Sequence, residues 1–175
     1  LWEKAVAGGI KQKPGAMARA LAAYGYEDDA AGALARMTER EIETLILHER
    51  GEHAAGKLLG PAWEAMIAGF STRRAEIVAR AVRDNLADCL VTLPALLDAG
   101  NRASLHFWFA NFEGMRRDLF PRLAAACEKV SDGDTPLREA VAAGAAHWRD
   151  VARRLPALDA AAIAALAGDP ALISL

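Results

Sequence analysis

Cysteine is nearly absent from this chain of 175 residues. Only Cys89 and Cys127 occur, and neither belongs to a Cys-x-x-Cys pair. That excludes a zinc ribbon, a thioredoxin-type site and a dense disulfide scaffold, and it suits both residues to a role as small buried hydrophobes. An excess of one charge sign is also missing. Lys and Arg total 21 against 23 Asp and Glu, a net charge of −2, with a pI near 6.1. No overall field attracts nucleic acid, so no nucleic-acid partner is expected. Long apolar runs are lacking as well: 53% hydrophobic residues are interrupted by 25% charged ones, and the mean hydropathy is +0.07. The balance is too apolar for disorder and too broken for a membrane span, so a soluble protein with no membrane partner is expected. The chain opens at Leu1 without a charged, apolar and small-residue progression. It therefore reads as a processed or trimmed chain, with the cytoplasm as the default location. No glycine-rich loop follows a strand, and motif context assembles no Ser–His–Asp arrangement.

Helix formers are abundant. Alanine is plentiful, β-branched runs are scarce and no alternating strand pattern persists, which points to an all-α, compact multi-helix bundle. The length suits one domain overall. Residues 1–37 read as short N-terminal helices packed on the bundle, and residues 38–175 as the bundle itself. Pro14-Gly15 opens a short helix to Ala22, which Tyr24-Gly25-Tyr26 ends, and Glu27–Met37 forms a second. Thr38 with Glu41 three positions later is a capping box that starts a helix stopped by Gly60-Pro61. A turn or two at Trp63–Phe70 follows. Ser71 or Thr72 begins a long segment to about Leu97, which Pro94 should kink or end early. Asn101 caps one aromatic helix, LHFWFANFEGMRRDLF. Pro121 begins a helix to about Val130, and SDGDTP is a loop before a helix in which Thr135 caps and Pro136 takes the first position. Pro156 closes that helix, residues 159–167 form the last one, and the apolar tail ALISL needs somewhere to dock.

The stretch TLILHERGEHAAG places two histidines and two glutamates within six positions. With residues advancing by about 100°, Glu41, Leu45, His48, Glu52 and Leu59 fall within roughly 60° of one another, while Glu43, Arg50, Ala54 and Lys57 lie opposite. The first set should face neighbouring helices. On the long segment, Val78, Val82, Leu86, Cys89 and Leu93 form an apolar side edged by Asn85, Asp88 and Thr92. Antiparallel packing of residues 38–59 against 72–97 as a central pair would enclose His48, Glu49, Glu52, His53, Asn85 and Asp88. Imidazoles and carboxylates in this pattern suit Zn, Fe or Mn, with Mg the weaker fit. A hydrogen-bonded polar network is the competing explanation of the same residues.

HERGEH has the form HExxxH, which resembles the zinc motif of dipeptidyl peptidase III enzymes. That resemblance implies His48 and His53 as zinc ligands and Glu49 as the base that activates water. Arg74-Ala75-Glu76 is similar to the end of that family's second motif, although the acidic position that would supply its third ligand is not matched on the Arg73 side. Glu49-x-x-Glu52 with Asn85-x-x-Asp88 is similar to the ExxE and ExxD magnesium motifs of all-α nucleotide pyrophosphohydrolases, with Asn85 where that family has Glu.

The sequence therefore predicts a divalent-metal site with His48, His53 and Asp88 as ligands, Glu49 and Glu52 as candidate catalytic groups orienting water, and Asn85 and Glu41 as supporting polar residues. A metal-assisted hydrolysis of an unknown small molecule would follow. The alternative is a ligand-binding or protein-interaction module held by a structural polar network. Alanine-rich faces and the apolar tail also suit a homodimer.

Overall fold

The computed structural model describes residues 15–129 and 133–175. The expected roles of Pro14, Val130, Ser131 and Asp132 lie outside the described residues. Within them the fold is all-α, in agreement with the composition. Helix α1 spans Ala16–Ala23 and ends at Tyr24. Helix α2 spans Ala30–Ala68 and is interrupted only at Gly60, whose φ of 68° no β-carbon-bearing residue adopts cheaply. Gly60-Pro61 thus ends the first helical segment, as expected, and a second segment continues beyond the kink to Ala68.

The start of α2 corrects the sequence reading. Two helices meeting at Thr38 were expected, but one helix runs through that position, so the boundary drawn between residues 37 and 38 falls inside it. The stretch Ala35-Arg36-Met37-Thr38-Glu39-Arg40 contains no Gly or Pro to break a helix already begun. The actual cap is Asp29, whose carboxylate accepts a hydrogen bond from the Gly32 amide at 2.9 Å.

Helix α3 spans Arg73–Ala87 and passes without a break into a π-helical turn, Asp88–Thr92, and then α4, Leu93–Asp98. Pro94 was expected to kink or end this segment early. Instead the wider π turn precedes it and lets the chain continue, since a proline ring clashes with the carbonyl four residues back in a regular helix. Asn101 caps α5, Arg102–Ala110, by accepting from the Ser104 amide at 3.2 Å. The single aromatic helix is in fact two. Asn111 closes α5, and α6, Gly114–Leu119, starts afresh at a glycine with φ of 59°.

Pro121 opens α7, Pro121–Cys127, and α8 spans Thr135–Arg154 with Asp134 rather than Thr135 at its cap. A 3₁₀ turn at Leu155–Ala157 carries Pro156, and α9 spans Ala160–Leu166 behind the Asp159 cap. The tail docks as expected. Leu175 exchanges backbone bonds with Leu119 and Arg122, and His147 Nε2 lies 2.8 Å from the Ile173 carbonyl oxygen.

Helix α3 is the centre of the molecule. It packs on α2, α6, α8 and α9, and its Val78, Val82 and Leu86 are fully buried. Leu137, Val141, Trp148 and Val151 of α8 supply the facing stripe. No helix among the described residues is long and apolar enough to cross a membrane.

Candidate functional site

Helices α2 and α3 run antiparallel, so His48 meets Asp88 while Glu52 meets Arg83. Their backbones approach closely at Gly51: a β-carbon there would lie 2.7 Å from the Ala87 carbonyl oxygen. The glycine of HERGEH therefore serves helix contact, and α2 stays regular through His48 and His53.

Asp88, 1% exposed, is the hub of this contact. Its Oδ1 lies 2.8 Å from His48 Nδ1 and accepts from Trp108 Nε1 at 3.2 Å. Its Oδ2 accepts from Arg116 Nη2 at 2.6 Å. Three nitrogen groups on α2, α5 and α6 thus converge on one carboxylate at the first residue of the π turn. A carboxylate buried alone would be prohibitively costly, and the Arg116 cation with two further donors offsets that cost. Arg116 is itself held. Its guanidinium lies 5.6 Å from the Trp108 ring centroid and 5.8 Å from that of Phe112, and Asn85 Nδ2 donates to its carbonyl at 3.1 Å.

The hydrogen bond to Asp88 raises the His48 pKa above the ordinary histidine value, against the opposing effect of burial. Glu52 continues the network outward, 3.5 Å from His48 Nε2 and 2.8 Å from Arg83, which also pairs with Asp84. Burial, ahead of its charged neighbours, raises the Glu52 pKa.

Two turns before His48 on the same face, Glu41 forms a second hub at 3% exposure. It accepts from Thr44 Oγ1 at 2.6 Å, from Ser104 Oγ at 2.9 Å and from the Tyr24 hydroxyl. Burial first, and the Glu41 carboxylate second, push the Tyr24 phenol up to about 12. This hub ties α1 and α5 to α2.

The expected site residues are divided by this arrangement. His48, Asp88 and Asn85 come together, with Glu52 at the rim and Glu41 at its own hub. Glu49 and His53 are exposed on the outer side of α2, beside Ile42, Leu45, Ile46 and Arg50. Leu45, expected to face inward, is 58% exposed. The inner face is turned toward Thr44, Gly51 and Ala55, because close contact with α3 requires small residues there. Among the described residues, no group of three or more His, Cys, Asp or Glu comes together that could hold a metal ion. Arg116, Trp108, Ser104 and Tyr24 were missed as partners. Each is distant in sequence from its carboxylate, and Trp108 and Arg116 read in one dimension only as a core aromatic and a surface cation.

A pocket of about 170 Å³ opens beside His48, lined also by Thr44, Leu45, Phe107, Trp108, Asn111 and Arg116. It is smaller than the ~300–1,000 Å³ usual for a small-molecule site.

Residues 1–168 match the family model described as "Family of unknown function (DUF6866) C-terminal domain", and the chain belongs to that family. Neither a curated protein nor a solved structure matches it.

Proposed function

We propose that this member of the DUF6866 C-terminal-domain family is a protein-interaction module, in which buried polar hubs hold α2 rigidly and its outer face docks a partner. One observation carries the reading. Ile42, Leu45 and Ile46 are 53%, 58% and 52% exposed side by side, on the side of α2 away from buried Glu41, Thr44, Gly51 and Ala55. Single exposed hydrophobes need no explanation, but contiguous ones on a rigid helix mark contact surfaces. The groove they form extends to Glu49, Arg50 and His53.

A divalent metal at His48, His53 and Asp88, with Glu49 or Glu52 orienting water for hydrolysis, has less support. The Asp88 oxygens are engaged by His48, Trp108 and Arg116, and His53 lies in the outer groove. The contacts made by Asp88 account for His48 and Asp88 without a ligand, whereas Asn85 Oδ1 and Arg116 Nε stay buried without a hydrogen-bond partner among the described residues.

Thiol labelling of an Ile46→Cys variant tests the docking face. Cys89 and Cys127 are buried, and burial raises both thiol pKa values, so they form a silent background. The expected result in dilute native protein is one fast-reacting thiol per chain. Absence of any fast thiol would show that the face is covered within the monomer and would remove the reading.

A further inference from the structure

The outer face of α2 also carries a pattern of charge that selects its occupant. Taking Ile42 as the reference and about 100° per residue, Ile46, Glu49 and His53 lie within about 40° of it, Glu39, Glu43, Arg50 and Lys57 lie on one flank, and Leu34, Thr38 and Leu45 on the other. Glu39 and Arg50 are both exposed, and neither has an ion-pair partner among the described residues.

Two antiparallel helices related by a two-fold axis place the same flank of each copy side by side. Residues equidistant from that axis, one on each side of it, then face each other. The midpoint between Glu39 and Arg50 and the midpoint between Ile42 and Ile46 differ by half a residue, about 1 Å of helix rise. A single axis near Thr44 and Leu45 therefore serves both pairs: Ile42 of each copy meets Ile46 of the other, and Arg50 of each meets Glu39 of the other. Parallel pairing sets Glu39 against the opposite flank of Leu34, Thr38 and Leu45, which offers no cation. Glu49 comes to the same axial level as Glu39 of the other copy but near the centre of the face, whereas Arg50 shares the flank of Glu39; the Arg50 contact is therefore the closer one and favours the antiparallel arrangement.

Resting on the reading of this face as a docking surface, we propose that its occupant is a second copy of this chain, bound antiparallel across Ile42, Leu45 and Ile46 with two reciprocal Arg50–Glu39 contacts. The contact is isologous and closes on itself.

Sedimentation of the full chain from about 1 to about 100 μM, wild type against Arg50→Glu, Glu39→Arg and the double reversal, tests it. The expected result is a concentration-dependent dimer, weakened on the order of tenfold by each single reversal and restored by the double one. Circular dichroism confirms that each variant is folded. A wild type that stays monomeric, or a dimer indifferent to these reversals, overturns the proposal. The Ile46→Cys labelling rate separates this failure from that of the docking face itself. Fast labelling of a monomer removes the second copy and leaves a face for another partner, whereas a protected thiol in a monomer removes both. In a dimer of the proposed kind, labelling slows as concentration rises.

Discussion

At the scale of single residues, the hub chemistry gives a pH signature. The Asp88 hydrogen bond raises the His48 pKa, so the folded chain holds that proton more tightly than the unfolded one. The resulting stabilisation is complete below the ordinary histidine value of about 6.5 and is lost as pH rises through the folded value. Urea unfolding of the wild type should therefore show stability falling as pH rises above about 6.5, with a flatter profile in His48→Gln. Glu52 is also raised, but its effect begins from the carboxylate range and falls at lower pH. Equal slopes for wild type and His48→Gln above neutrality would mean that the His48–Asp88 contact does not favour the proton. The sequence identified His48, Asp88, Asn85 and Glu41 as inward polar residues because helical periodicity sorts faces. It could not identify Arg116 or Trp108 as their partners, because those contacts depend on how α5 and α6 return over α3.

At the scale of elements, the α2–α3 contact depends on small residues. Gly51→Ala would force its β-carbon to 2.7 Å from the Ala87 carbonyl oxygen. Moving two packed helices apart should cost about 1–3 kcal/mol. Gly56, on the same helix, has nothing within 4 Å of an added β-carbon. There the better helix propensity of alanine should stabilise by roughly 0.5–1 kcal/mol. Paired chemical denaturation curves check the opposite signs; two equal effects would remove the close-approach account. Most helices, the Asn101 cap and the Gly60-Pro61 break were legible because each carries a local signal. The unbroken passage through Thr38 was not, since a capping box is only one option for Thr and Glu within a run of good helix formers. The π turn before Pro94 also escaped, as it is a response of the packed segment to proline rather than a motif.

At the scale of the whole molecule, the two sides of α2 divide the work. The inner side joins α1, α3, α5 and α6 through Glu41 and Asp88, and the outer side presents Ile42, Leu45 and Ile46. The fold class was readable from composition and periodicity, whereas the assignment of Leu45, Glu49 and His53 to the outer side required the helix to be docked. The most direct test compares urea unfolding of wild type, Asp88→Ala and Ile42→Lys/Ile46→Lys in dilute protein, below any self-association. Loss of the hub should leave the partly buried Arg116 without its anion and cost about 2–4 kcal/mol, while the outer-face change should stay within about 0.5 kcal/mol of wild type. An Asp88→Ala chain as stable as wild type, or an outer-face variant destabilised as much as the hub variant, would contradict this division.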